Sequence, residues 1–176
     1  EIVIQEGDPT WYGNQMHVWH HDGSYLPGWP REISPQWESS RSNPAIADVD
    51  GDGLPEIATV TGDGLLHLFR IDGTEKPGYP RMLPGSGPIS SLQVIDADAD
   101  GVEELFLCYH AGSNQWVGGW KYDGSSLPGF PKVLFTNAEL NAHGSVHLAD
   151  LEGDGDLDLC AQGGTFGAGR VWVYEV

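Results

Sequence analysis

The stretch Asp48-Val-Asp50-Gly-Asp52-Gly53-Leu-Pro-Glu56 constrains this chain more than any other. Acidic side chains stand at positions one, three, five and nine, and glycine stands at six. Alternate carboxylates on a tight turn converge on one centre, and glycine takes the sharp bend that a Cβ resists. The spacing recurs as Asp96-Ala-Asp98-Ala-Asp100-Gly101-Val-Glu-Glu104 and as Asp150-Leu-Glu152-Gly-Asp154-Gly155-Asp-Leu-Asp158. Three copies in register favour metal loops over bare Asp-Gly turns, because four convergent carboxylates without a cation repel one another.

An all-oxygen cage suits a hard divalent cation, and calcium tolerates this flexible geometry better than magnesium does. The candidate ligands of the first loop are Asp48, Asp50, Asp52, Glu56 and the carbonyl of Leu54 at position seven. The second loop offers Asp96, Asp98, Asp100, Glu104 and the Val102 carbonyl. The third offers Asp150, Glu152, Asp154, Asp158 and, at position seven, Asp156. The sequence therefore predicts about three Ca2+ sites, with Asp50→Ala or Asp98→Ala removing one site each. The loop is not an EF-hand, which places its bidentate acid at position twelve between two helices. Here each loop lies between two short apolar runs, so it joins two strands.

A second element alternates with the loops. Trp19-His-His-Asp22-Gly23-Ser-Tyr-Leu-Pro27-Gly28-Trp29-Pro30 returns as Phe69-Arg-Ile-Asp72-Gly73-Thr-Glu-Lys-Pro77-Gly78-Tyr79-Pro80, and again as Trp120-Lys-Tyr-Asp123-Gly124-Ser-Ser-Leu-Pro128-Gly129-Phe130-Pro131. The repeat length is about 50 residues, within the propeller range. Each unit reads as four strands. The first enters the acidic loop (about 43–47, 91–95, 145–149) and the second leaves it (1–4, 56–60, 104–109, 158–162). The third carries one large aromatic, Trp19, Phe69, Trp120 or Trp172 (17–21, 65–71, 116–122, 170–174). The fourth is a short edge around Gly-aromatic-Pro, where proline's missing donor is tolerated. The predicted fold is all-β, a β-propeller of four-stranded antiparallel blades, with about three and a half blades in this chain. Residues 1–176 form one propeller segment, with units at about 1–47 (partial), 48–95, 96–149 and 150–176 (partial). Glu1 reads as position nine of a truncated fourth loop. The four aromatics are expected between blades.

The loop pattern Asp-x-Asp-x-Asp-Gly-x-x-Glu/Asp followed by an apolar strand resembles the FG-GAP/VCBS-type repeats of extracellular proteins. These are similar to the integrin α-chain propeller and to secreted bacterial proteins. The resemblance covers nearly the whole chain and implies a calcium-stabilised, extracellular propeller. The Phe-Gly…Gly-Ala-Pro signature itself is not present, and Phe166-Gly-Ala-Gly is a partial echo. The Asp-Gly…Pro-Gly-aromatic-Pro element resembles the bacterial variants more than the integrin form.

The net charge of -18 argues against nucleic acid or an anionic membrane surface as partner. Three divalent ions bring it to about -12. No apolar run approaches the ~20 residues of a membrane span. Cys108 and Cys160 are expected as two buried free thiols rather than a disulfide. No catalytic set stands out: there is no Gly-x-Ser-x-Gly elbow and no HExxH, and the loop carboxylates are committed to metal. His17 and His21 share one strand face by alternation, where a transition-metal pair is a minor reading beside solvated histidines.

Antiparallel strands put the acidic loops and the Asp-Gly turns at one end of each unit. The variable loops gather at the other end, and such loops are the usual seat of binding. Trp11, Tyr12, Trp37, His110 and Trp116 are the candidate ligand-binding residues there. The expected function is a noncatalytic extracellular calcium-binding module for adhesion, ligand binding or assembly, with a protein or glycan partner. The alternatives are a calcium-dependent lectin, or an accessory propeller of a secreted polysaccharide lyase or peptidase. Three and a half blades do not close a ring, so completion by the rest of a longer chain or by homo-oligomerisation is expected.

Overall fold

The computed structural model describes residues 2–7, 14–34, 43–83, 92–136, 144–165 and 168–175, and within them the structure is all-β. Its strands form four antiparallel sheets. The first contains β1 (Ile2–Gly7), β2 (Asn14–Trp19) and β3 (Arg31–Ser34). The second contains β4 (Ala45–Ala47), β5 (Glu56–Val60), β6 (Leu65–Arg70) and β7 (Arg81–Met82). The third contains β8 (Gln93–Ile95), β9 (Glu104–Ala111), β10 (Asn114–Trp120) and β11 (Lys132–Phe135). The fourth contains β12 (Ser145–Ala149), β13 (Asp158–Thr165) and β14 (Ala168–Glu175). Within each sheet neighbours in sequence pair with one another, a simple meander.

Alternation along the strands explains why the sequence looks apolar on both faces. On β5 and β6, Ile57 and Phe69 pack with Met16 and Val18 of the first sheet. Their neighbours Ala58, Val60, Leu66 and Leu68 point the other way, onto Leu105, Leu107, Tyr109 and Trp120 of the third sheet. On β9 the pattern repeats: Phe106 and Cys108 face Val146, Leu159 and Ala161 of the fourth sheet. Each inner sheet is thus sandwiched, and period-two alternation delivers its two faces to two different neighbours. Phe69, Trp120 and Trp172 lie in these inter-sheet cores as the sequence predicts. Trp19 does not. It stacks with Tyr25 at 5.2 Å and with His17 at 5.2 Å, on the face of the first sheet away from the second.

Two strand boundaries differ from the sequence reading. The third strands end at Trp19, Arg70 and Trp120, because the Asp-Gly turn begins immediately afterwards. The Gly23 amide donates to the His20 carbonyl, and Gly73 to Arg70 and Gly124 to Lys121 likewise. The fourth strands do not surround Gly-aromatic-Pro; they start after the proline, at Arg31, Arg81 and Lys132. The Pro-Gly-aromatic-Pro run is a turn that hooks the next sheet. Gly28 has φ +93°, and a Cβ there would collide with the Asp72 carbonyl oxygen. The Trp29 indole N–H donates to the Ile71 carbonyl at 2.8 Å, and the Tyr79 hydroxyl donates to the Tyr122 carbonyl. The Arg31 guanidinium donates to the Gly73 carbonyl, and Lys132 stands 4.8 Å from the Tyr174 ring centroid.

Cys108 and Cys160 are both free thiols. Cys108 is buried as expected, whereas Cys160 is only partly so, because its neighbours Leu159 and Ala161 face the third sheet and alternation turns Cys160 to the opposite face of β13. His21 lies in a turn and is exposed, so strand alternation does not pair it with His17, whose Nδ1 lies 2.9 Å from the Tyr25 hydroxyl.

Candidate metal centres

Each acidic loop is a turn knit by its own carboxylates. In the first, Asp48 accepts hydrogen bonds from the amides of Asp52 (3.0 Å) and Gly53 (2.8 Å). In the second, Asp96 accepts from Asp100 (3.1 Å) and Gly101 (3.0 Å). In the third, Asp150 accepts from Gly153 (2.6 Å) and Gly155 (3.0 Å). The position-five carboxylates accept from the position-seven amides: Asp52 from Leu54, Asp100 from Val102, Asp154 from Asp156. The glycines at position six all have positive φ, at +86°, +86° and +99°. This is why the sequence needs glycine there in every copy.

The position-nine acid opens the outgoing strand and folds back under the loop. One oxygen of Glu56 accepts from the Val49 amide at 3.2 Å, one of Glu104 from Ala97 at 2.9 Å, and one of Asp158 from Leu151 at 3.1 Å. The other oxygen of the glutamates is left to face the loop centre. Asp48, Asp50 and Glu56 bring oxygens within 4.8 Å of one another, and so do Asp96, Asp98 and Glu104. Among the described residues the third loop forms no such group. Asp150, Glu152, Asp154 and Asp156 are exposed, and Asp158 is one methylene shorter than the glutamates at the same position. The position-five carboxylates Asp52 and Asp100 stand outside both groups.

Glu104 is fully buried, and its Oε1 has no hydrogen-bond partner. Burial pushes its carboxyl above the usual glutamate value, the Ala97 amide opposes this, and Asp98 adds to it. A buried carboxylate oxygen that has no hydrogen bond and faces two aspartates is what an oxygen-ligand cation relieves. Lys121 reaches this loop from solvent, with its ammonium 3.2 Å from Asp100, 3.5 Å from Asp98 and 3.9 Å from Glu104. Glu103, which the spacing did not single out, is also pushed upward, first by burial and then by Asp48 of the neighbouring loop and by Asp96.

The first loop differs. Lys76 is only 7% exposed, and its ammonium bridges Asp50 and Glu56, the latter at 2.9 Å. Burial works against its charge, but its hydrogen bonds to the two carboxylates outweigh this and hold the amine above its ordinary value. The sequence reading missed Lys76. The available signal was a charged residue at a position where the other two copies carry leucine.

Of the proposed ligand-binding residues the structure describes two, His110 and Trp116, and neither lies in a loop. Trp11, Tyr12 and Trp37 lie outside the described residues, as does Glu1. His110 and Trp116 lie on the paired strands β9 and β10 and point inward, His110 being buried at 3% exposure. The residue before Trp116 exchanges faces with it, so Gln115 rather than Trp116 stands opposite His110 in the register. Gln115 is fully buried, and neither its side-chain nitrogen nor its oxygen has a partner.

The geometry defines a protein of repeated antiparallel sheets, each bound to its neighbour face to face, with an acidic loop between first and second strands. Residues 48–107, which hold the first two loops and the strands between them, match the family of FG-GAP-like repeats. Among solved structures, the chain is similar to the V. cholerae biofilm matrix protein Bap1, at 18% identity and a TM-score of 0.48. The similarity covers 91% of this chain and 30% of that one. No curated protein sequence matches the chain.

Proposed function

We propose that this chain is a noncatalytic, extracellular, calcium-binding repeat module whose sheets are blades of a β-propeller, used for adhesion or assembly. The observation that carries the calcium reading is Glu104: a fully buried carboxylate whose free oxygen faces Asp96 and Asp98 at the loop centre. A calcium ion there neutralises clustered acids and pins the turn that starts the blade, so its binding energy adds to folding stability. The Asp96, Asp98 and Glu104 carboxylates and the Val102 carbonyl are the ligands proposed around it, with Asp96 also bracing the turn. Weak, millimolar-class sites of this kind suit an extracellular setting, where free calcium is abundant.

The propeller reading is supported by the FG-GAP-like match and by the face-to-face packing of successive sheets. The half-buried His17 and Trp19 and the exposed Tyr25 stack on the face that, in the second and third sheets, meets a preceding sheet. That correspondence supports completion by further blades, from a longer chain or from a second copy. The partner is a protein or a glycan. A glycan-array screen of the intact assembly in calcium, repeated in chelator, tests this choice. Calcium-dependent glycan binding selects a lectin, and its absence moves the search to protein partners. Calorimetric titration of calcium into the chain tests the metal: one site lost in Asp98→Asn is expected, and no heat in the parent chain removes the assignment.

A further inference from the structure

The three Asp-Gly elements place one residue, four positions after the aspartate, at the same point of the backbone. The amides of Leu26, Lys76 and Leu127 donate to the carbonyls of Val18, Leu68 and Gly119, at 3.0, 2.8 and 3.0 Å. Their own carbonyls accept from Trp29, Tyr79 and Phe130, each at 3.1 Å. All three side chains are buried, at 6%, 7% and 6% exposure. Leu26 and Leu127 fill inter-sheet cores. The backbone, the hydrogen bonds and the burial are therefore matched, and only the side chain differs.

A lysine at a leucine position keeps its aliphatic stem in the apolar slot and must carry its charge to an acceptor. The stem of Lys76 ends beneath the acidic loop of its own sheet, because the acidic loop and the Asp-Gly turn share one end of the meander. The ammonium bridges Asp50 Oδ2 and Glu56 Oε1, on two of the three side chains that converge at the loop centre. The Glu56 oxygen it takes is the counterpart of Glu104 Oε1, which has no hydrogen-bond partner in the neighbouring loop and only the Lys121 ammonium at 3.9 Å. Lys121 is no equivalent: it is 36% exposed, approaches the second loop from outside, and can return to water.

We infer that Lys76 is the resident cation of the first loop, an internal ammonium standing where the sister loop takes a divalent ion. The loop at 48–56 then keeps its turn in the absence of calcium. Calcium enters only by evicting a buried ammonium, which costs affinity twice: the ammonium repels the ion while present and loses both its partners on leaving. Two loops alike in acidic spacing thus have different cation requirements. One carries its own cation and the other depends on dissolved calcium. The inference rests on the calcium reading of the loops.

Calcium titration of the full chain and its variants, read as stoichiometry by calorimetry and native mass spectrometry, tests this. Asp50→Asn should leave the number of bound calcium ions unchanged, whereas Asp98→Asn should lower it by one. Lys76→Leu, which installs the sister residue, should raise it by one, and the added site should disappear in Lys76→Leu/Asp50→Asn. Loss of a site in Asp50→Asn alone, or an unchanged count in Lys76→Leu, overturns the inference. Thermal melting in chelator gives a second readout. Lys76→Leu should melt several degrees below the parent chain there, and millimolar calcium should remove the difference. A variant unfolded in chelator and folded in calcium counts in favour; one as stable as the parent in chelator counts against. Absence of calcium binding in the parent together with no effect of Asp98→Asn defeats the calcium reading instead, and the chelator comparison still decides the role of Lys76.

Discussion

The loops at 48–56 and 96–104 share their acidic spacing, their positive-φ glycine and their internal hydrogen bonds, yet they differ in what balances their charge. In the first, a buried lysine closes on Asp50 and Glu56. In the second, the matching oxygen of Glu104 is buried without a hydrogen bond, and the nearest ammonium, 3.9 Å away, lies in partial contact with solvent. The lesson is that ligand spacing fixes the shape of an acidic turn but not the cation that fills it. That depends on a side chain from another turn of the same sheet, 20 residues beyond Glu56.

The largest expected break in this comparison is Lys76→Ala. Removing one partner of a buried ion pair leaves an uncompensated charge, a loss of about 3–5 kcal/mol. Urea unfolding in chelator measures it, and a loss under about 1 kcal/mol would place Lys76 among ordinary surface lysines. Next comes chelation of the parent chain. At free calcium about a hundredfold above the dissociation constant, each occupied site contributes about 2.7 kcal/mol. Scanning calorimetry should show the melting temperature fall on chelation, and Asp98→Asn should shrink that fall more than Asp50→Asn does.

Position four of the loops sharpens the comparison further. Gly51 and Gly153 have φ of +71° and +79°, while Ala99 holds +57°. Left-handed backbone disfavours a Cβ by about 1–2 kcal/mol, so Ala99→Gly should stabilise the second loop by about 1 kcal/mol. Gly51→Ala should weaken the first by a similar amount, both read from denaturant midpoints. Lys121→Ala should change stability little, because its ammonium reaches solvent and its pairs with Asp98 and Asp100 are exposed and screened. The same variant should tighten calcium at the second loop, since it removes a competing positive charge.

The smallest effects are in the pH dependence, and they have opposite signs at the two kinds of turn. The hydroxyls and amides of Ser24, Thr74 and Ser125 hold Asp22, Asp72 and Asp123 below the usual aspartate value. Their contribution is fully present above pH 3.8 and is lost as pH falls through the lowered folded value. Glu104 is raised instead, so in chelator its contribution declines as pH rises from 4.5 through its folded value. Carboxyl titrations followed by NMR in chelator should show the three aspartates shifted down and Glu104 shifted up. Calcium should abolish the Glu104 shift and leave the others in place.

Much of the architecture was legible in the chain because repetition averages out local ambiguity. Three copies of one acidic spacing and three of Asp-Gly…Pro-Gly-aromatic-Pro set the strand order, the all-β class and the loops that join first to second strands. Single positions were read less well where two faces of a strand lie close in sequence. His110 and Trp116 flank a short hairpin, so they look like loop residues, yet both are committed to strands and point inward. Trp19 carries the signature of a core aromatic but lies on the face with no described neighbour, where it stacks on Tyr25.

The sequence by itself determined the repeat, the antiparallel sheets and the places where carboxylates converge, because these follow from spacing along the chain: period two in strands, glycine at forced bends, acids on alternate positions. Only the tertiary structure decided which faces meet, which tryptophan is covered, and which loop is neutralised by Lys76. Those outcomes depend on groups far apart in sequence being brought within a few ångströms, and local spacing does not encode a distance between turns.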